Sequence, residues 1–94
     1  MVKRLSSEEK ITLLQNLSGW VELEGREAIQ KSFKFNDFNE AFAFMTDVAL
    51  KAEEINHHPE WSNVYNTVDV VLTTHDVDGL SELDIELAKF MDEL

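Results

Sequence analysis

The chain has no cysteine at any of its 94 positions. A disulfide framework and a thiolate metal site are therefore both excluded. Positive charge is scarce too: eight Lys and Arg stand against 19 Asp and Glu, a formal charge of -11. Binding nucleic acid needs clustered cations that displace counterions from phosphates, so no nucleic-acid partner is expected. Anionic membrane surfaces are disfavoured for the same reason. No segment approaches the roughly 18 consecutive apolar residues of a membrane span. The opening MVKRLSSEEK lacks the apolar stretch of a secretion signal. The expectation is a soluble intracellular protein, cytoplasmic, with the nucleus also open. Repeats, low-complexity tracts and linkers are missing as well, and the acidic excess reads as a solvated surface that identifies no substrate.

What is present suits one domain, residues 1–94, with a modest core, since 44% of the chain is hydrophobic. A chain of this size buries roughly 60–70% of its unfolded surface, so assembly would help its stability. Ser6 and Glu9 stand in capping-box spacing before a helix over about 7–17, with Ile11, Leu13, Leu14 and Leu17 as its apolar side and Gly19 as its stop. A hairpin follows. WVELE (20–24) alternates, Gly25 and Arg26 turn the chain, and Ile29, Phe33 and Phe35 share one face of the return strand, a row that Lys31 breaks. Asp37 and Glu40 open a long helix over about 38–56. Its expected buried stripe is Phe38, Ala41, Phe42, Met45, Val48, Ala49, Ala52 and Ile55, which leaves Phe44 off the stripe and free to face a partner.

Pro59 ends that helix and pushes His58 out of the helical region. SNVYN (62–66) and VDVVLTT (68–74) read as strands, either a hairpin or one bulged strand. Ser81 caps a last helix over about 82–93, with Leu83, Leu87, Met91 and Leu94 inward. The order α-β-β-α-β-β-α predicts a two-layer α+β sandwich, an antiparallel four-stranded sheet with helices on one face.

All three histidines fall in one third of the chain: His57 and His58 adjacent before the only proline, and His75 after a β-type run. Imidazole exchanges protons near neutral pH, so the cluster points to proton transfer or a metal. Glu53 and His57 are i and i+4 on the long helix and are expected to share a face, with Glu53 orienting the ring. His58, extended before Pro59, is expected to diverge from His57, while Trp61 walls the corner and His75 is aimed from a strand end. The three rings meet in one cleft if that strand lies near the C-terminus of the long helix.

Plainer roles exist for each of these residues. His57 can be a helix C-cap, the pair a solvated turn, and Trp61 and Tyr65 packing residues. Asp84 fits a capping box with Ser81, and this is favoured over catalysis. Glu53, His57 and His75 also make a two-His, one-carboxylate zinc set, but their spacing matches no helix motif such as H-E-x-x-H.

The run Glu53-x-x-x-His57-His58-Pro59, Trp61, Asn63-Val64-Tyr65-Asn66, Thr74-His75 and Gly79-Leu80-Ser81 with Asp84 resembles the pterin-4a-carbinolamine dehydratases. That family is also known as the dimerisation cofactor of a hepatocyte nuclear factor. The resemblance extends upstream through Phe33-Lys34-Phe35, Asp37-Phe38-Asn39 and Ala41-Phe42 to Leu50, covers about residues 20–93, and is weakest in the first 18. It implies dehydration of 4a-hydroxytetrahydrobiopterin to the quinonoid dihydropterin, part of tetrahydrobiopterin recycling, by histidine acid/base catalysis with no metal or other cofactor. It implies His57, His75, His58 and Glu53 as catalytic residues. The implied pterin-binding residues are His57, His58, Pro59, Trp61, Thr74, His75, Asp76 and Val77. It further implies a homodimer or homotetramer. In animal members it implies a transcription-factor dimerisation helix as partner, and hence the alternative of a non-enzymatic coactivator-binding module.

Overall fold

The computed structural model describes residues 2–94. In chain order the elements are α1 (Ser7–Gln15), β1 (Val21–Glu22), β2 (Ile29–Lys34), α2 (Phe38–Ile55), β3 (Glu60–Val64), β4 (Thr67–Leu72), a 3-10 turn (His75–Val77) and α3 (Glu82–Glu93). The strands form one antiparallel sheet in the order β1-β2-β4-β3. Ile29, Phe33, Val68, Val70, Leu72 and Trp61 face the helices and join one core with Ala41, Phe44, Val48, Leu87, Ala88 and Met91. The opposite face is mostly polar, with Ser32 and Asp69 hydrogen-bonded across the register. This is the predicted two-layer α+β arrangement.

Both predicted capping boxes form, Ser6 with Glu9 and Ser81 with Asp84. Asp37 accepts from the Glu40 amide at 2.9 Å, while the Glu40 carboxylate reaches back to the Asn36 amide at 3.0 Å. These side chains satisfy amides that an α-helix leaves unpaired at its start.

The buried stripe of α2 differs from the expected one. Ala41, Phe44, Val48 and Ala52 are its buried residues. Phe44 is 6% exposed, whereas Phe38 and Phe42 are 47% and 55% exposed. Nearly every side of this helix carries an apolar residue, so periodicity alone does not choose between adjacent stripes. The sheet chooses: Phe44 packs against Phe33 and Phe35, with ring centroids 4.8 and 5.0 Å apart.

Smaller corrections share one cause, packing at the margins of the core. α1 ends at Gln15 and buries no residue fully, and Ile11 is exposed. In α3, Ile85 and Ala88 are buried, Leu83 is half-buried and Leu94 is exposed. β1 is only two residues long, and Val21 lies on the open face. Lys31 keeps its place in the core-facing row by bending its amine to the Ser18 carbonyl at 2.6 Å and to Asp92 at 2.7 Å. Its charged end thus leaves the core while its stem covers apolar surface.

β3 and β4 form a hairpin, Val64 pairing with Thr67 across Tyr65 and Asn66. Both strands therefore start and end earlier than predicted. The turn holds because Asn63 donates to the Tyr65 and Thr67 carbonyls and Asn66 to the Phe35 carbonyl. Asparagine amides that bond nearby backbone favour turns over continued strand.

The register brings four strand ends together. Glu22 pairs with Ile29, Ile29 with Leu72, and Val71 with Glu60. The end of β1, the starts of β2 and β3 and the end of β4 thus lie at one end of the sheet. The segment leaving α2 and the segment leaving β4 both arrive there.

Candidate active site

Two connections build the site. Helix α2 stops at Ile55 because Asn56 turns left-handed, at φ 52° and ψ 46°, and the His57 amide bonds back to the Ala52 carbonyl at 3.0 Å. Asparagine adopts this conformation at lower cost than most residues, which suits a helix end. His57 therefore lies outside the helix, not in its last turn as expected. After β4, Thr74 pairs with Gly79 and the His75–Val77 turn bulges between them. His75 opens that turn and does not end a strand.

The carboxylate partners also differ from expectation. Glu53 does not meet His57. With the chain reversed at Asn56, the His58 Nε2 reaches Glu53 at 2.5 Å. The His57 Nε2 instead bonds Asp84 Oδ1 at 2.6 Å, and the His75 Nε2 bonds Glu60 Oε2 at 2.8 Å. A carboxylate accepts, so each ring donates its Nε2–H. Each then leaves Nδ1 as the nitrogen whose protonation can vary.

Asp84 does more than close a capping box. It is 0% exposed, and His57 is 9% exposed. Asp84 Oδ2 accepts from the Thr74 hydroxyl at 2.7 Å and from the Ser81 amide at 3.0 Å. Since the Thr74 proton is committed to Asp84, the Ser81 hydroxyl donates to Thr74 Oγ1 at 2.7 Å. The buried carboxylate is thus compensated on both oxygens. Thr74 and Asp84 lock His57 to the loop that carries His75.

Glu60 is held differently. Arg26 grips it with both terminal nitrogens, at 2.8 and 2.5 Å, while His75 bonds one of the same oxygens. The Arg26 contact first, and the His75 contact second, pull the Glu60 carboxyl down to about 2. Neither Arg26 nor Glu60 stood out in the sequence, because nothing there shows that a turn after β1 meets the first residue of β3.

The three imidazoles line one open cleft of about 370 Å³, together with Asn56, Pro59, Glu60, Thr73, Thr74 and Asp76. Trp61 and Val77 are not part of this lining; Trp61 pairs with Val70 and packs on the core. Among the described residues no three His, Asp or Glu side chains are grouped to hold a metal ion. Glu53 bonds His58 and is not in the cleft lining, so the set Glu53, His57 and His75 does not assemble.

A two-layer α+β domain with a three-histidine cleft at one end of its sheet defines the class of protein, and comparison narrows it. The model of the family described as "Pterin 4 alpha carbinolamine dehydratase" matches residues 3–94. The chain is 62% identical over 94 residues, 100% of its length and 92% of the relative's, to the "Putative pterin-4-alpha-carbinolamine dehydratase" of Burkholderia vietnamiensis. It is 63% identical over 94 residues to the protein of the same name from a Bradyrhizobium strain, covering 94% of that relative. The crystal structure of a "transcriptional coactivator/pterin dehydratase" from Brucella melitensis superposes with a TM-score of 0.94 at 52% identity, covering 97% of each chain. The chain belongs to the pterin-4-alpha-carbinolamine dehydratase family. The match reaches into the first 18 residues, where the motif resemblance was weakest.

Proposed function

We propose that the protein dehydrates 4a-hydroxytetrahydrobiopterin to quinonoid dihydropterin and water, serving tetrahydrobiopterin recycling. The observation that carries this reading is the cleft where His57, His58 and His75 converge, each tied through Nε2 to its own carboxylate. Breaking the C4a–O bond needs a proton on the departing hydroxyl and removal of the proton from N5. His57 and His75 are assigned these two transfers through Nδ1, each typically worth about 10²–10⁴-fold. The ring that acts as base becomes cationic as it takes the N5 proton, and its carboxylate neutralises that charge, an interaction stronger in the transition state than before it; the ring that acts as acid starts as the imidazolium and gives its charge up with its proton. His58, with Glu53, binds and orients the pterin. Pro59, Thr74 and Asp76 complete the wall.

The test is a dehydration assay with synthetic 4a-hydroxytetrahydropterin. His57→Ala and His75→Ala are each expected to lower kcat by roughly 10² or more, and His58→Ala to act on KM. Near-normal kcat in the first two, with early melting, would assign the histidines to structure alone. Activity is expected to survive rigorous chelation. Its loss to EDTA and return with zinc would replace acid/base chemistry by metal chemistry.

A second observation supports self-association. Phe38, Phe42 and Leu50 lie exposed on α2, an apolar face unusual for a lone small domain. We infer a homodimer or homotetramer packed through this face; it is also the surface on which a coactivator-type partner helix would lie. A light-scattering mass that stays near 10.8 kDa at micromolar concentration would refute this.

A further inference from the structure

Among the described residues, only one of the three carboxylate–imidazole pairs is gripped from behind by a cation. Glu60, the first residue of β3, has its backbone fixed opposite Val71 in the sheet ladder. Its carboxylate is fixed separately by Arg26, which reaches from the connection between β1 and β2 and places one terminal nitrogen on each oxygen. A two-pronged guanidinium contact sets the plane of a carboxylate as well as its position, which a lysine cannot do.

The third member of the chain is His75, whose side chain is 75% exposed. Among the described residues its ring has a single hydrogen-bond partner, Glu60. The ring therefore has little packing to hold its χ angles, and its direction depends on that carboxylate. Arg26 and His75 also line one small recess of about 170 Å³ with Glu27, Thr73 and Asp78; it shares His75 and Thr73 with the main cleft, whose lining does not include Arg26. By contrast His57 is held by burial, and among the described residues no cation stands behind the Glu53–His58 pair.

We propose that Arg26 is a positioning residue which, through Glu60, fixes the orientation and the Nε2–H tautomer of the His75 imidazole for proton transfer in the cleft. The proposal rests on the dehydratase reading for its kinetic consequence, but not for its structural one. With Glu60 held as an acceptor on Nε2, the exchangeable proton of His75 is confined to Nδ1. Without Arg26 the carboxylate can rotate, and the exposed ring loses both its direction and its tautomer preference. Removing the partner that orients a metal-bound imidazole costs roughly 10- to 100-fold, and a loss at the lower end of that range is expected for this metal-free ring.

Arg26→Ala is expected to lower kcat about tenfold with KM within about twofold, since Arg26 lies outside the cleft lining. Arg26→Lys, which keeps the charge but loses the two-pronged contact, is expected to fall between the two, and it serves if Arg26→Ala does not fold. In a His75→Ala background, Arg26→Ala is expected to cost less than about twofold, because the two act as one unit. Long-range proton–nitrogen spectra supply a readout independent of activity. The His75 ring is expected to show the Nε2–H pattern in the wild type and a mixed pattern in the Arg26 variants. An unchanged His75 pattern in Arg26→Ala, or the same tenfold loss with and without His75, would overturn the proposal. If the wild type has no dehydratase activity while the His75 pattern still responds to Arg26, the dehydratase reading fails and the positioning relation stands.

Discussion

Replacing Asp84 with alanine tests the central network of the site. The carboxylate is fully buried and accepts from the His57 ring, the Thr74 hydroxyl and the Ser81 amide. As a helix cap alone it would contribute about 1 kcal/mol. Two further buried donors, His57 Nε2–H and the Thr74 hydroxyl, lose their acceptor, and each unpaired donor costs roughly 1–3 kcal/mol. Thr74 can turn its proton elsewhere, and the terms are not additive, so the expected loss is about 3–5 kcal/mol. For a domain of this size, 1 kcal/mol moves Tm by about 4–8 °C, so the midpoint is expected to fall by at least roughly 12 °C. Thermal melts followed by circular dichroism measure it. A cycle with His57→Ala isolates the shared contact, with an expected coupling of at least about 1 kcal/mol. A fall under about 8 °C with no coupling to His57 would show that Asp84 is only a cap, and that the link from α3 to His57 carries no energy.

Three further outcomes follow from the geometry. Phe44→Ala is expected to cost about 3–5 kcal/mol in denaturant titrations of dilute protein and Phe42→Ala under about 1, and the reverse order would restore the stripe expected from sequence. Because Glu53 bonds His58 and not His57, Glu53→Gln is expected to raise KM in the same direction as His58→Ala and to leave kcat near normal; a fall in kcat alone would count against that pairing. The Glu60 carboxyl is held at about 2, below its ordinary 4.5, so its contribution to stability is fully present above about pH 4.5 and is lost as pH falls toward 2. The Tm difference between wild type and Glu60→Gln is therefore expected to persist from neutral pH down to about 5 and to shrink below about 4.5. A difference that instead vanished between pH 7 and 5 would contradict this.

Much of this molecule is local and was legible as sequence. Ser6, Asp37 and Ser81 open the three helices because a short oxygen-bearing side chain can accept a nearby amide whatever surrounds it. The row Ile29–Phe33 marked a strand with one buried face, since strand side chains alternate by covalent geometry. The motif around His57, His58, Pro59 and His75 announced the family and the chemistry to look for.

What remained depended on contacts between residues far apart in the chain. Sequence spacing paired Glu53 with His57, and that pairing holds only while the helix continues; the left-handed turn at Asn56 gave Glu53 to His58 instead. Asp84, 27 residues beyond His57, and Arg26, 34 residues before Glu60, reach their partners only through sheet register and helix packing. Phe44 was placed outward because its own helix is apolar on several sides, and only Phe33 and Phe35 on the sheet decided which side is buried. Chain-local rules determined which elements form and which groups can move protons. Tertiary structure decided which carboxylate each imidazole received, because a hydrogen bond is set by distance and direction in space, and those are fixed only when the layers close.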